Sequence, residues 1–389
     1  MQINVDELSL EEKIGQMIIV GMNNTYITER TRNLILNHKI GGIILYRKNF
    51  KTYEDLLNLV RELKSINSVN KVPLFISIDQ EGGRVNRMPK EILNLPAANK
   101  IAKTKNVDLV RASAKITGEI LIKSGFNMNF SPVLDIKRFQ DDHAIGDRSY
   151  GETKEDVIKY GIPVMEELQN KNIISVVKHF PGHGATKKDS HFGLPKINIS
   201  IKELEQNDMQ VFDEAIKRGA DAVLVGHLKA KRLTGMNPAS LSRKFIIRVL
   251  RRKYKFRGLV ISDDLKMRAI RLIYGPKTAV RKAFEAENDI IIFRFNEKQE
   301  TTSINEIINL TKRNKIKEYR INKSVQRILE IKQKYNISDI SEIEGTNIEK
   351  INSEISNLVH LVSDLKWPKI KLGKSLKNCL KYVNINNEH

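Results

Sequence analysis

At 389 residues, with 40% hydrophobic and 29% charged residues, the chain can bury one large core or two small ones and is too apolar for a disordered protein. No stretch approaches the roughly 18 to 20 apolar residues of a membrane span, and the single cysteine, Cys379, excludes an internal disulfide and every multi-cysteine zinc site. The formal charge of +21, from 67 basic against 46 acidic residues, is spread along the chain without an aromatic-interleaved stripe, so it reads as a solvated basic surface rather than a nucleic-acid or membrane partner.

The opening stretch, "MQINVDELSLEEKIGQMIIVGM", has acidic helix-start chemistry and no basic region ahead of a long apolar run, which predicts a soluble cytoplasmic protein rather than a secreted one. Short apolar runs then recur in order: "QMIIVGM" (16–22), "GGIILY" (41–46), "PLFISID" (73–79), "NMNFSPVLDI" (127–136), "IISVVKHF" (173–180), "AVLVGH" (222–227), "GLVISDD" (258–264) and "IIIFRF" (290–295). These near-continuous runs predict eight strands buried on both faces of a parallel sheet. Between them lie helical patterns such as "TYEDLLNLVRELKSI", "KEDVIKYGIPVMEELQNK", "SIKELEQNDMQVFDEAIKRG" and "SRKFIIRVLRRKY", with acidic or hydroxyl residues near their starts. The alternation predicts an α/β fold, a (β/α)8 TIM-like barrel, ahead of an open doubly wound sheet. An amphipathic helix over 320–337 is placed to close the barrel, so residues 1–337 form the expected catalytic domain. The tail, 338–389, has one helical stretch and little other periodicity, and reads as a partly helical appendage rather than an independent domain.

In such a barrel the active site lies at the C-terminal strand ends. There the third run delivers Asp79, Gln80, Glu81, Arg84 and Arg87, the fourth leads to Asp147 and Arg148, the sixth ends in His227, and the seventh in Ser262, Asp263 and Asp264. Because strand side chains alternate, Asp263 and Asp264 are not both expected to face the barrel mouth. After the fifth run comes "KHFPGHGATKKDSHFGLP" (178–195), which holds three of the chain's eight histidines. A zinc set of His179, His183 and His191 with Asp189 or Asp263 is the obvious rival reading, but its spacing fits no standard zinc motif. A phosphate cradle is weaker still, because "PGHG" lacks P-loop glycine spacing. The third reading pairs Asp189 with His191, the carboxylate favouring imidazolium and fixing the ring, so that a proton donor on a loop faces a carboxylate on a strand.

"KHFPGHGATKKDSHFGLP", together with "IDQEGGRVNRM" (78–88), "IGDRSYG" (145–151) and "GLVISDDLKMRAI" (258–270), closely resembles glycoside hydrolase family 3, in its bacterial β-N-acetylglucosaminidase branch, with the motifs in family order from about residue 7 to 337. The resemblance implies a retaining, cofactor-free and metal-free exo-hydrolase, a monomer of cell-wall recycling whose partner is its carbohydrate substrate, N-acetylglucosamine-containing muropeptide fragments. Carried over position by position, it makes Asp263 the nucleophile, His191 the general acid/base and Asp189 its partner. Asp79, Arg87, Arg148, Lys178 and His179 become sugar-binding residues. Two rivals stay open: a phosphorylase of the same chemistry, because a histidine acid spares incoming phosphate the repulsion of a carboxylate, and a catalytically decayed anion- or wall-binding barrel. The chain also departs from the family pattern. Ala185 stands where many relatives carry Asp, and "EAENDIIIFRF" lacks the glycine often found before the eighth strand, which predicts looser packing there.

Overall fold

The computed structural model describes residues 3–139, 144–186, 194–294 and 296–363. Each of the eight apolar runs contains one strand: β1 (Ile18–Gly21), β2 (Gly42–Leu45), β3 (Phe75–Ile78), β4 (Met128–Asn129), β5 (Ile174–Phe180), β6 (Ala222–Val225), β7 (Leu259–Ser262) and β8 (Ile291–Phe293). All pair in parallel in the order β7-β6-β5-β4-β3-β2-β1-β8, with registers such as Ile19 to Gly42 and Ile43 to Ile76. An isolated parallel bridge between Ile261 and Ile290, with the Ser262 N–H donating to the Ile290 carbonyl at 2.9 Å, brings β7 round to β8. The sheet therefore curls into a nearly closed barrel, the expected (β/α)8 architecture. Apolar side chains on both faces of each strand are buried, one set in the barrel and one beneath the helices, which is why the runs are continuous rather than alternating.

β4 is much shorter than its run. Pro132 has no N–H to add to the ladder, and pairing resumes only as the single bridge between Val133 and Lys178.

The helix Tyr53–Asn67 starts at Thr52 with a capping box, in which the Thr52 hydroxyl accepts from the Asp55 N–H and the Asp55 carboxylate from the Thr52 N–H. Thr153 caps Lys154–Asn170 in the same manner through its hydroxyl. Two helical patterns depart from a single α-helix. "SIKELEQNDMQVFDEAIKRG" breaks at Asn207 into Ile201–Gln206 and Asp208–Lys217. Ile246–Lys253 winds as a π-helix.

The helix Glu318–Lys334 closes the barrel base. Lys332 is buried there, its Nζ donating to Gln16 Oε1 (2.8 Å) and to the carbonyls of Gly41 (3.1 Å) and Pro73 (2.6 Å) ahead of β2 and β3. The tail segment 338–363 lies against the barrel. Ile351, Ile355, Leu358 and Val362 of the helix Ile348–Ser363 are buried, and Asp339 accepts from the Leu74 N–H and the Asn67 amide.

Packing before β8 is not loose, contrary to the expectation from the missing glycine. Glu287 itself takes the left-handed conformation (φ 65°), so the turn forms without glycine. Asn288 and Asp289 behind it are fully buried. Asp289 accepts from Ser324, Arg327, Arg251 and the Val260 N–H, which locks the approach to β8.

Candidate active site

Six of the sequence-predicted residues, Asp79, Arg87, Arg148, Lys178, His179 and Asp263, line one cavity of about 500 Å³ at the C-terminal strand ends, together with Tyr46, Glu81, His183, Asp264 and Arg294. Asp189 and His191 lie outside the described residues. Among the described residues no group of three or more His, Cys, Asp or Glu side chains is placed to hold a metal ion.

The floor is built on a buried ion-pair network. Beyond β3, Glu81 takes a bidentate pair from Arg148, Nε to Oε2 and Nη2 to Oε1 at 2.8 Å each. Lys178, on β5, reaches Glu81 Oε1 and Asp79 Oδ1 at 2.7 Å each. Burial pushes the Glu81 carboxyl up, but the Arg148 and Lys178 cations outweigh it and hold the group well below the usual carboxylate range. The same contacts leave hydrogen-bonding capacity for a ligand. Arg148 spends three N–H groups on Glu81 and on the Ala144 carbonyl, and a guanidinium has five. Lys178 retains one donor and Asp79 one carboxylate oxygen.

Asp135, past β4, fixes the segment after β5. It accepts from the backbone N–H groups of His179 (3.2 Å) and His183 (2.5 Å), and its Oδ2 lies 2.7 Å from His179 Nδ1. Burial raises this carboxyl and the nearby histidines lower it further, so it stays ionised. An ionised Asp135 accepts a hydrogen bond from His179 Nδ1–H, which leaves Nε2 as the ring's other edge. The chain passes closely here: a Cβ on Gly184 would lie 1.8 Å from the Ile136 carbonyl oxygen, so only glycine fits.

At the end of β7, Asp263 Oδ1 accepts the Asp264 N–H at 2.8 Å, and the Asp263 N–H bonds to the Val225 carbonyl of β6. Burial pushes the Asp263 carboxyl up, but His227, His179, the Asp264 N–H and the Lys178 charge lower it by more. Burial also lowers His227, so its share of that pull fades at neutral pH while the backbone N–H and Lys178 keep theirs. Neutral His227 stands between Ser240 Oγ (2.6 Å from Nδ1) and the Asp264 carbonyl (3.0 Å from Nε2), holding the turn that carries both aspartates.

Asp263 and Asp264 both line the cavity, which corrects the expectation from strand alternation. β7 ends at Ser262, and beyond it the pleat no longer dictates direction. Burial, with the neighbouring Asp263 charge adding to it and the Lys266 N–H opposing it, pushes Asp264 up to about 6. The folded state then binds this proton more tightly than the unfolded chain, so stability is highest below pH 4 and falls as pH rises through 4 to 6. The loss expected from this group is on the order of 3 kcal/mol. Asp264→Asn should flatten that part of the melting-temperature profile; an unchanged profile would show that Asp264 titrates normally.

Sequence reasoning placed Glu81 and His227 at the strand ends without giving them a role, and did not single out Asp135, Tyr46 or Arg294. Glu81, Asp135 and His227 do carry the available signal, a polar residue at or near the end of an apolar run.

An acid-lined pocket at the C-terminal mouth of a parallel barrel is the arrangement of a barrel enzyme. Residues 9–331 match the glycosyl hydrolase family 3 N-terminal domain. A beta-hexosaminidase of Neisseria gonorrhoeae is 33% identical over 273 residues, covering 68% of this chain and 74% of that protein. That of Tolumonas auensis is 32% identical over 264 residues, covering 67% and 77%. Among solved structures, a family 3 β-N-acetylglucosaminidase from Paenibacillus sp. str. FPU-7 superposes with a TM-score of 0.85 at 32% identity, over 90% of this chain and 68% of that one. A family 3 member from Mycobacterium smegmatis does so with a TM-score of 0.78 at 28% identity, over 85% and 98%. The chain belongs to glycosyl hydrolase family 3, and its pocket is that of a glycoside hydrolase.

Proposed function

We propose that the protein is a retaining exo-β-N-acetylglucosaminidase that removes terminal β-linked N-acetylglucosamine from peptidoglycan-derived fragments, as a monomer, in cytoplasmic cell-wall recycling. Its catalytic unit is residues 1–337, with 338–389 as an appendage. The observation that carries the reading is Asp263: a carboxylate held ionised at the end of β7, oriented by the Asp264 N–H, inside a cavity of about 500 Å³. The names of the similar proteins, beta-hexosaminidase and β-N-acetylglucosaminidase, support the choice of sugar.

In the first displacement Asp263 forms a bond to the anomeric carbon as the bond to the leaving oxygen breaks, and His191, charged through its pairing with Asp189, gives that oxygen its proton. In the second, neutral His191 takes a proton from water, whose oxygen replaces Asp263 at the anomeric carbon. Asp79, Lys178 and His179 meet the sugar hydroxyls with the hydrogen-bonding capacity left over from their protein contacts, and Arg148 and Arg87 add donors. His191→Ala should slow a substrate with a poor leaving group by on the order of a hundredfold or more, and an activated nitrophenyl glycoside much less, because only the former needs the proton. Equal losses on both would mean that His191 positions the substrate instead.

A further inference from the structure

Among the described residues, the cations around the pocket divide into those the protein neutralises and those it does not, which are Arg87, whose Nε is also buried without a partner, and a cluster around Arg294. Arg148 and Lys178 face Glu81 and Asp79, and Arg84 pairs with Asp147 at 2.8 Å. Arg294, just past β8, lines the same cavity, and among the described residues no carboxylate lies within ion-pair distance of it. Its Nε is buried without a hydrogen-bond partner. A guanidinium N–H held away from water without an acceptor is costly, and at a pocket wall it points to an acceptor that arrives with the ligand.

The position is built rather than incidental. The Arg294 guanidinium lies over the Tyr46 ring, 4.7 Å from its centroid. Tyr46, at the end of β2, is itself fixed by its N–H donating to Asn49 Oδ1 at 2.8 Å. The stack fits because residue 21 is glycine: a Cβ there would meet Arg294 Cδ and Tyr46 Cε2 at 2.9 Å each. Three strand ends, β1, β2 and β8, thus cooperate to fix the guanidinium at the cavity wall. The surroundings carry both signs, with the Asp264 and Asp79 charges acting on Tyr46 beside those of Arg294 and Arg87. Lys48 and Lys266 stand close by, and burial together with the Arg294 and Lys266 charges lowers the Lys48 ammonium. Asp264 shares the cavity, but its Oδ1 accepts the Lys266 N–H and it makes no ion pair with Arg294.

We propose that Arg294, stacked on Tyr46 in the space left by Gly21, binds an oxyanion that enters the pocket with the substrate. A planar guanidinium matches a carboxylate or phosphate with two parallel N–H bonds. This inference rests on the proposed function, and there the sugar to be removed is neutral. The anion therefore belongs to the leaving part of the substrate, as a carboxylate, or is free phosphate taken up at the mouth.

The test compares two aryl β-N-acetylglucosaminides with matched leaving groups, one bearing a carboxylate and one the isosteric carboxamide, in wild type, Arg294→Gln and Arg294→Lys, each with and without inorganic phosphate. For a substrate carboxylate, the ratio of kcat/KM for acid over amide is about tenfold in wild type, falls to about one in Arg294→Gln and is partly kept in Arg294→Lys. For phosphate, the ratio is one throughout, while added phosphate changes the rate on the amide in wild type and not in Arg294→Gln. A ratio of one with no Arg294-dependent phosphate effect overturns the inference. No turnover of either substrate by wild type would contradict the proposed function instead, and the same acid-to-amide ratio, read from calorimetric binding constants, would then decide the role of Arg294.

Discussion

Asp263→Asn lowers turnover of an aryl β-N-acetylglucosaminide by on the order of 10⁴-fold or more, the scale seen when a reacting group is deleted, while the circular dichroism spectrum stays that of the wild type. The side chain lines the cavity instead of filling the core, and its one hydrogen bond, from the Asp264 N–H to Oδ1, can be accepted equally by the Asn carbonyl oxygen. What the amide cannot do is attack the anomeric carbon and leave again as a carboxylate. Because the variant keeps shape and hydrogen bond but loses the nucleophile, retained turnover would remove Asp263 from the chemistry, and loss of the folded signal would show that the residue is structural.

The second large effect is expected at a residue that need not touch the reacting atoms. Glu81 is the single carboxylate joining Arg148 and Lys178, and its side chain is only 7% exposed. Glu81→Gln leaves two buried cations competing for Asp79 and for backbone carbonyls, and breaking a buried pair from one side typically costs about 3 to 5 kcal/mol. The expected result is a melting temperature lower by on the order of 10 °C, with weaker substrate binding because Lys178 and Arg148 lose their fixed positions. A double change, Glu81→Gln with Arg148→Met, should recover part of the stability and none of the binding. A double variant destabilised by the sum of the two single changes would mean that the two side chains act independently.

The barrel was legible because parallel strands covered on both faces must be apolar on both, and that requirement writes itself as eight short continuous runs. What the runs did not show is where pairing stops. Pro132 truncates β4 inside an unbroken apolar stretch, Asn207 splits one amphipathic pattern into two helices, and Glu287 makes a left-handed turn where a missing glycine had predicted loose packing. Each outcome depends on one backbone position, to which hydrophobic periodicity is blind.

The site divides along the same line. Asp79, Lys178, His179 and Asp263 were readable because they interrupt or follow apolar runs, and the barrel places such residues at one mouth. Their partners were not readable as partners. Asp135 meets His179 across 44 positions and Glu81 meets Arg148 across 67, separations that only the closed sheet brings together. His227 was visible at the end of β6, but its task of holding the Asp263–Asp264 turn follows from contacts with Ser240 and the Asp264 carbonyl. Arg294 and Tyr46 looked like the ordinary ends of β8 and β2 until the gap at Gly21 set one upon the other. Net charge gave no hint of them either. A surplus of +21 spread along the chain hides a pocket arginine that makes no ion pair among the described residues.

The central claim, a covalent glycosyl-enzyme on Asp263, is tested most directly by trapping. The protein is incubated with a fluorinated, activated β-N-acetylglucosaminide whose second displacement is slow, then digested and mapped by mass spectrometry. The account predicts one added sugar on the peptide containing "GLVISDD", attached at Asp263 and released on addition of an acceptor. An adduct on a different carboxylate, or steady turnover of the reagent with no adduct at any time point, would contradict it.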